Sequence, residues 1–443
     1  MSSSDPATAI CGLGTCLPSM VLTNDEVAQR GGLDTTDEWI RSRTGIVRRR
    51  HVTDGLSTGD LAVSAGRAAL ESAGALSADC VILATSTPDR RCPATAPEVA
   101  HRLGLGTVPA FDLNAVCSGF VYALAVASAS VRAGLCRQPL VIASETYSRI
   151  VDPHDRETAV IFGDGAGAVL LRPAVTGSPG VIAATDLGSD GSGSDLIAIA
   201  GGGSRLPGHG LLLDRHLRYF RMRGRDVYRQ AVRRMHESSL EALHRVGWTV
   251  DDVEAFIGHQ ANQRILDAVA DRLGINLNHR FGNIHEVGNT AAASIPLAMA
   301  AAASQDAVRP GAPTLLTAFG GGLTWGSVAL RWPDVRPLNL APPMPPGSTS
   351  TLPSTPGVVM DSTYQHLVAI LADKFESPAA NLDPQVTLGE LDLDSLAIVE
   401  LFVTLQDRYG VDLDDSHARP DMSLAALTAL VETQLTAAGA DRQ

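Results

Sequence analysis

The stretch FDLNAVCSGFVYAL, residues 111–124, passes from a strand pattern into a helix pattern at one cysteine, Cys117. The residues before it read as β-structure, and the residues after it are small or apolar. A thiol at the N-terminus of a helix lies near free N–H groups and the positive end of the helix dipole, and both favour the thiolate. Cys117 is therefore a candidate nucleophile, although a free cysteine is more often a small buried hydrophobic residue.

The sequence on either side of this stretch alternates short apolar runs with longer helical patterns. Strands are predicted over 80–89, 139–148, 165–175, 255–259, 313–319 and 325–332, and helices over 58–73, 118–133, 226–246 and 291–303. Continuous rather than alternating apolar strands indicate sheets that helices cover on both faces. The alternation recurs in each half of the region and predicts an α/β fold of two similar halves.

Three further motifs place polar residues or glycines at the ends of such elements. His259 in AFIGHQANQRILDAV (255–269) stands where a strand ends, and Asn289 in HEVGNTAAASIPLAM (285–299) stands in a glycine-containing turn. The three glycines of AFGGGLTWGSVALRW (318–332) could direct N–H groups at an oxyanion. Each motif alone also fits an ordinary structural role, such as a hydrogen-bonded histidine, a capping asparagine or a tight hairpin.

In this order and spacing, CSGF, HQANQRI, GNTAAASIP and GGGLTWGS resemble ketoacyl-acyl-carrier-protein synthase III, a condensing enzyme of the thiolase superfamily. The resemblance covers about residues 8–332. It implies a thiolase-like fold of two similar α/β halves, about 1–175 and 176–335, in a five-layered α-β-α-β-α arrangement. It also implies a homodimer formed through this condensing domain, residues 1–335.

The resemblance assigns the chemistry to three side chains and two backbone groups. Cys117 would accept an acyl group from a thioester, which divides the reaction into two steps. His259 and Asn289 would hydrogen-bond the thioester carbonyl of a malonyl unit and stabilise the enolate left by loss of CO2. The N–H groups of Cys117 and Gly321 would form the oxyanion hole. The chemistry requires no metal, and no metal-ligand cluster is visible in the sequence.

Binding residues follow from the same resemblance. It assigns CoA and pantetheine binding to Trp39, Arg43, Arg156 and Asn262, and carrier docking to Arg229 and Arg264. Arg225 stands where some members of the family have asparagine, so that pantetheine contact is open. Cys92 stands where several members carry a bulky aromatic residue, which predicts room for a longer or branched starter.

The C-terminal part of the sequence has a different character. Residues 336–357 are rich in Pro, Ser and Thr and predict an extended linker. Residues 357–443 hold 15 acidic and 4 basic residues, so most of the net charge of −13 lies there. Helical patterns over 358–374, 395–408 and 423–437 predict a small helical bundle.

Within that bundle, GELDLDSLAIVEL (389–401) resembles the attachment segment of an acyl carrier protein. The resemblance implies a carrier domain over residues 358–443 with 4′-phosphopantetheine on Ser395, attached by a phosphopantetheinyl transferase. An acidic face suits docking to basic partner enzymes of the same synthase. A serine that merely caps a helix is the ordinary alternative.

The composition excludes several other classes. Of the 443 residues, 45% are hydrophobic and 19% charged, as in globular proteins. The sequence contains neither an apolar run of about 18 residues, as a membrane span needs, nor a secretory signal pattern. Six cysteines without a CxxC pair indicate reduced thiols. Neither part of the chain has the basic stripe of a nucleic-acid binder. We therefore expect a cytoplasmic protein without membrane or nucleic-acid partners.

Three functions remain open. The leading hypothesis is a decarboxylative Claisen condensation of an acyl-CoA starter with malonyl-carrier protein, which gives a β-ketoacyl thioester and initiates fatty-acid or polyketide-type biosynthesis. The alternative is acyl transfer from CoA or a carrier to an alcohol, an amine or a carrier thiol without condensation. A remote alternative is an inactive scaffold that presents a carrier domain. A cysteine protease also uses Cys, His and Asn, but the GNTAAASIP and GGGLTWGS contexts do not fit one.

Overall fold

The computed structural model describes most of the first 343 residues and part of the remainder. The described residues are 7–207, 214–343, 364, 367–368, 370–372, 382–391, 393, 398, 401–402, 404–406, 409, 411, 413 and 419–440. The chain divides into two compact units, Met1–Thr349 and Ser350–Gln443. Each unit is treated separately below.

The first unit contains two principal β-sheets. The strands are β1 Ala7–Cys16, β2 Met20–Thr23, β3 Arg48–His51, β4 Cys80–Ala84, β5 Ala110–Leu113, β6 Pro139–Thr146, β7 Asp164–Ala174, β8 Ile182–Ser189, β9 Ile197–Ala198, β10 Arg221–Met222, β11 Ala255–Gly258, β12 Pro313–Gly320, β13 Thr324–Arg331 and β14 Leu338–Asn339. One sheet has the order β14-β1-β7-β6-β4-β5, and the other has the order β11-β12-β13-β8. Two small antiparallel pairs, β2-β3 and β9-β10, lie outside these sheets.

The helices form three layers around the two sheets. They are α1 Asn24–Gly31, α2 Asp37–Thr44, α3 Thr58–Ser72, α4 Ala96–Arg102, α5 Gly119–Arg132, α6 Arg156–Ala159, α7 Arg215–Arg218, α8 Gly224–Val246, α9 Gln263–Leu273, α10 Ile284–Val287 and α11 Ser294–Ser304. Helix α3 packs on the first sheet and α8 on the second, while α5 and α11 each contact strands of both sheets. The order of layers is therefore α-β-α-β-α, as the resemblance to the family implies.

The two halves repeat one topology. In the first sheet β4 and β6 are parallel and β7 and β1 follow in antiparallel register; in the second sheet β11, β12, β13 and β8 repeat this arrangement. The element of the second half that corresponds to β5 is only a single parallel bridge, between Phe256 and Arg280. This repeat places α5 and α11 as equivalent helices in the central layer, where each is lined by buried small and apolar residues.

Element boundaries differ most from the sequence-based predictions at three places. The strand predicted over 80–89 ends at Ala84, because Thr85 and Thr87 turn their hydroxyls onto a buried carboxylate instead of continuing the strand. The helix predicted over 291–303 begins at Ser294, after a short 3-10 turn. The segment predicted as a linker from residue 336 first contributes β14, which pairs with β1.

The second unit has a hydrophobic core of its own. Its last helix, α12 Leu424–Ala440, confirms the helix predicted over 423–437. Nine of its buried residues are Leu367, Leu371, Ile398, Leu401, Phe402, Leu405, Leu424, Leu427 and Val431. Most of the helix predictions over 358–374 and 395–408 lie outside the described residues. No helix within the described residues is long and apolar enough to cross a membrane.

Candidate active site

Cys117 lies at the corner between β5 and α5. Val116 has a φ of +49°, which is unusual for a β-branched residue, and Cys117 follows it in a 3-10 turn that leads directly into α5. The cysteine is only 8% exposed. A strained backbone that survives in a well-packed region is a common feature of functional sites. The corner therefore holds the thiol in one defined position.

The glycine-rich hairpin between β12 and β13 packs against this corner. A Cβ atom at Gly320 would lie 2.9 Å from the backbone nitrogen of Cys117 and from the carbonyl oxygen of Ala115, so only glycine fits there. The hydroxyl of Thr324 lies 3.0 Å from the carbonyl oxygens of both Ala115 and Gly321. Thr324 thus joins the hairpin to the cysteine corner, a role that the sequence did not reveal.

The resting Cys117 side chain is a protonated thiol. Burial raises the pKa of the Cys117 thiol, and the nearby Glu145 carboxylate raises it further; the backbone N–H of Cys117 and the Tyr147 hydroxyl lower it, but by less. The helix N-terminus that the sequence predicts is present, but burial outweighs its effect on the resting state. Any thiolate must therefore form during the reaction, as the proton leaves.

His259 follows β11 and is a neutral imidazole. Burial lowers the pKa of His259 to about 3. Its Nδ1 lies 2.7 Å from the hydroxyl of Ser294, which also accepts a hydrogen bond of 3.2 Å from the backbone N–H of Gln260. Among the described residues Nδ1 is the one acceptor within hydrogen-bond distance of that hydroxyl, so Ser294 donates its proton to Nδ1. This tautomer leaves the hydrogen on Nε2, and His259 is a hydrogen-bond donor there.

Asn289 has a similarly fixed orientation. Its Oδ1 accepts a hydrogen bond of 2.8 Å from the backbone N–H of Ala291, so the amide nitrogen is free to donate elsewhere. Its backbone bonds on both sides to the segment before β7, through Ile161 and Gly163. Ala291 has a φ of +46°. Asn289 is therefore as firmly held as Cys117.

A cavity of about 1120 Å³ lies beside these residues and has Asn289 in its wall. It is lined by six arginines (Arg43, Arg156, Arg223, Arg225, Arg229 and Arg264) and by two acidic residues, Glu157 and Asp226. Cys117 and His259 lie outside this lining. The excess of positive charge would attract an anionic ligand.

Trp39 forms an aromatic platform at this cavity. Its side chain is partly exposed, and the guanidinium carbons of Arg156 and Arg43 lie 5.0 and 5.9 Å from the ring centroid. Arg156 also donates a 3.0 Å hydrogen bond to the carbonyl oxygen of Asp34. A planar ring bordered by cations provides a stacking surface for a nucleobase and charge for its phosphates.

The other predicted binding residues lie along the same cavity. Asn262 caps α9 through the N–H of Arg264 and donates to the carbonyl oxygen of Arg43, so its side chain has a structural role as well. Arg264 donates to the carbonyl oxygen of Ser42. Arg229 is exposed on α8 and pairs with Asp226.

The predicted attachment site lies outside the described residues. This holds for Ser395 and also for its acidic neighbours Asp392, Asp394 and Glu400. Among the described residues, no group of three or more His, Cys, Asp or Glu side chains could hold a metal ion.

Comparison with known proteins gives three family matches. The model for 3-oxoacyl-[acyl-carrier-protein (ACP)] synthase III matches residues 111–191, and the model for its C-terminal part matches residues 243–332. The model for the phosphopantetheine attachment site matches residues 365–431. The first two matches contain Cys117, His259 and Asn289, and the third contains Ser395.

Individual relatives agree with these matches. The chain is 56% identical to β-ketoacyl-[acyl-carrier-protein] synthase III 2 of Streptomyces coelicolor, over 74% of this chain and 95% of that protein. It resembles the crystal structure of 3-oxoacyl-(acyl carrier protein) synthase III of Pseudomonas aeruginosa, with 49% identity, a TM-score of 0.69, and coverage of 75% of this chain and 100% of that one. It also resembles the priming β-ketosynthase of a polyketide biosynthetic pathway, with 34% identity, a TM-score of 0.69, and coverage of 77% and 99%.

Proposed function

Because the chain belongs to the 3-oxoacyl-[acyl-carrier-protein] synthase III family, we propose that Cys117, His259 and Asn289 carry out its condensation reaction. The enzyme is an acyltransferase that condenses an acyl-CoA starter with malonyl-carrier protein, and its chain includes a fused carrier domain. Priming of fatty-acid or polyketide biosynthesis fits this activity. The observation that carries the residue assignment is the fixed direction of the donors on His259 and Asn289.

In the first step, the sulfur of Cys117 attacks the carbonyl carbon of the acyl-CoA. A carbon–sulfur bond to Cys117 forms, the bond to the CoA sulfur breaks, and the CoA sulfur takes up a proton. The N–H groups of Cys117 and Gly321 would stabilise the negative oxygen of the tetrahedral intermediate. The close approach of the hairpin at Gly320 to the Cys117 nitrogen supports this pairing.

In the second step, malonyl loses CO2 while its thioester carbonyl accepts two hydrogen bonds. The Nε2–H of His259 and the amide N–H of Asn289 would stabilise the enolate, because both are neutral donors held in place before the reaction. The enolate carbon then attacks the acyl group on Cys117, the new carbon–carbon bond forms, and the Cys117 sulfur leaves and takes up a proton from solvent. The product is a β-ketoacyl thioester on the carrier.

The arginine-lined cavity would bind the substrates. Trp39, Arg43 and Arg156 would hold the CoA nucleotide, Asn262 would line the pantetheine path, and Arg229 and Arg264 would dock the acidic carrier. The cavity volume and its excess of positive charge support this assignment. Substitution of Arg229 or Arg264 should then raise the KM for a carrier substrate more than the KM for a CoA substrate.

Ser395 would carry the phosphopantetheine of the fused domain. A match to the attachment-site family implies the prosthetic group, whose thiol holds acyl groups as thioesters. A phosphopantetheinyl transferase would attach the prosthetic group, and other enzymes of the synthase would then bind the carrier domain. Tethering raises the effective concentration of such a domain to the mM range for a suitable linker. We propose the domain boundaries 1–335, 336–357 and 358–443 from the sequence composition, with β14 as a short part of the linker that pairs with β1.

Further proposals concern assembly and location. Strand β5 is an edge strand that carries the exposed Phe111, and it offers a surface for a second copy in a homodimer. Cys92 is exposed on the neighbouring loop, and in such a dimer a small residue there would admit a longer or branched starter. All six cysteines are free thiols, which supports a reducing compartment such as the cytoplasm.

Intact-protein mass spectrometry tests the assignment. The protein is co-expressed with a phosphopantetheinyl transferase and offered acyl-CoA starters together with malonyl-CoA. We expect acyl mass on Cys117, pantetheine mass on Ser395 and released CO2. Ser395→Ala should remove the pantetheine mass, whereas the matched Ser423→Ala, which removes a helix cap in the same unit, should keep it. Acyl transfer without release of CO2 would favour the alternative function instead.

A further inference from the structure

Tyr147 is a buried polar residue beside the proposed nucleophile, and neither the motifs nor the mechanism above uses it. It follows β6, is 1% exposed and belongs to the same buried cluster as Cys117. Its ring stacks on Phe162 with centroids 4.6 Å apart and meets Phe220 edge-on at 5.4 Å. Its hydroxyl lies close enough to the Cys117 thiol for the two groups to shift each other's pKa: the hydroxyl lowers the pKa of the thiol, and the thiol raises the pKa of the hydroxyl. The packed rings therefore hold a hydroxyl against the reacting sulfur.

A chain of hydrogen bonds continues from that hydroxyl into the interior. The Tyr147 oxygen lies 3.1 Å from the hydroxyl of Ser86, which donates a 2.9 Å hydrogen bond to the carboxylate of Glu145. Glu145 is fully buried on β6. It also accepts hydrogen bonds from the hydroxyls of Thr85 and Thr87 and from the N–H of Ser86. No cationic side chain contacts Glu145 among the described residues.

Glu145 is able to accept a proton near neutral pH. Burial raises the pKa of its carboxyl to about 7, because the hydrogen bonds that lower the pKa compensate only in part. The titratable groups that face it are Cys117 and Tyr147. Asp164 on the neighbouring strand β7 pairs with Thr146, so its side chain points to the opposite face of the sheet. A buried carboxylate without a counter-ion, hydrogen-bonded towards a nucleophile, has the properties of a proton acceptor.

We propose that Tyr147 and Ser86 relay the proton of the Cys117 thiol to Glu145 during acylation and return it to the departing CoA sulfur. This inference rests on the proposed role of Cys117 as the nucleophile. As the bond between sulfur and the acyl carbon forms, the thiol proton moves to the Tyr147 oxygen. The Tyr147 proton moves to Ser86, and the Ser86 proton moves to Glu145.

The same path then works in reverse. When the bond to the CoA sulfur breaks, Tyr147 donates a proton to that sulfur, Ser86 restores the Tyr147 proton, and Glu145 restores the Ser86 proton. Atoms and charges balance without another reagent. The relay also explains how a buried thiol with a raised pKa can act as a nucleophile. His259 and Asn289 then serve only the malonyl step.

The test compares Tyr147→Phe with the wild-type full-length protein. Phenylalanine keeps the ring stack on Phe162 and removes the hydroxyl. The acylation rate of Cys117 is followed by rapid quenching and intact-protein mass spectrometry between pH 5.5 and 8.5. We expect acylation to slow about 100-fold, a typical loss for general acid–base catalysis. The wild-type rate should rise with pH through about 7, and this rise should vanish in the variant.

Two controls separate the relay from a structural effect. Tyr122→Phe removes the hydroxyl of a half-buried tyrosine, which donates a 2.8 Å hydrogen bond to the carbonyl oxygen of Gly188, and it should acylate at the wild-type rate. Glu145→Gln keeps the size of the side chain without a proton acceptor, and its acylation should be slow at every pH. Release of CO2 from malonyl, measured without acyl-CoA, should stay near the wild-type rate in Tyr147→Phe.

The inference is overturned if Tyr147→Phe acylates at the wild-type rate with the wild-type pH profile. It is also overturned if acylation and CO2 release fall together, since that result marks a packing role. A Glu145→Gln protein that retains the rise near pH 7 would assign the titration to another group and reject Glu145. Failure of the proposed function gives a result distinct from failure of the relay, because the wild-type protein itself would then carry no acyl group on Cys117.

Discussion

In both halves of the first unit, Met1–Thr349, one residue with positive φ leads through a 3-10 turn into a buried helix of the central layer. Val116 precedes α5 in the first half, and Ala291 precedes α11 in the second. The first corner presents the thiol of Cys117, whereas the second places Asn289 just before the turn and Ser294 at the start of the helix. The same local backbone conformation thus supports a nucleophile in one half and hydrogen-bond donors in the other.

The difference between the corners divides the reaction. The first half would perform acyl transfer, which needs a nucleophile and movement of a proton. The second half would perform decarboxylation, which needs fixed neutral donors and no proton transfer by His259. Each half-reaction can be measured separately, as acyl mass on the protein and as released CO2. Substitutions at the two corners should therefore affect different measurements.

The largest effect is expected for Cys117→Ala. The variant removes the nucleophile and leaves the donors of the second half in place, so acylation should fall by at least about 10³-fold. Malonyl should still lose CO2 without condensation. Both products are measured on the same sample, with Cys11→Ala, which removes another free cysteine, as a matched control. Acyl mass that persists on the protein in Cys117→Ala would disprove the nucleophile assignment.

A smaller effect, on CO2 release instead of acylation, is expected for Asn289→Asp. Aspartate keeps the oxygen that accepts from the Ala291 N–H, but it removes the donor and adds a negative charge beside the enolate. CO2 release should fall about 10²–10³-fold, the usual loss for one donor to a developing oxyanion. Acylation of Cys117 should stay near the wild-type rate. Equal loss of both activities would show that the two corners do not act independently.

A weaker effect is expected for Ser294→Ala, which changes the second corner without touching substrate. The Nδ1 atom of His259 then loses its donor, and the imidazole can adopt the tautomer that lacks the Nε2 hydrogen. CO2 release should fall about tenfold, as in other losses of a partner that orients a histidine. Ser294→Thr should restore it, and ¹⁵N NMR of the imidazole should show the change of tautomer. An unchanged spectrum in Ser294→Ala would contradict the role of Ser294.

The sequence predicted roles for Cys117, His259 and Asn289 through the resemblance of their motifs to the family, since their places at strand ends and turns also fit ordinary structural roles. It did not predict the partners that give them their chemical states. Ser294 lies 35 residues from His259, and Glu145 acts on Cys117 from a different strand. Such contacts arise only when the two sheets and the central helices pack. For the same reason the burial that keeps Cys117 protonated could not be inferred from its place at a helix N-terminus.

The smallest effect is a difference between the pH dependence of CO2 release and that of Cys117 acylation. Burial holds the pKa of His259 at about 3, below the ordinary value of about 6.5. The imidazole therefore stays neutral between pH 5 and 8, and CO2 release from malonyl should vary less than about twofold across this range if His259 acts as a neutral donor. Acylation, measured in the same buffers, should instead rise through about pH 7, because the pKa of Glu145 is raised to that value.

A CO2 profile with a midpoint near 6.5 would mean that His259 changes charge during turnover, and the neutral-donor role would then be wrong. A flat CO2 profile beside a rising acylation profile would show that proton transfer belongs to the first corner alone.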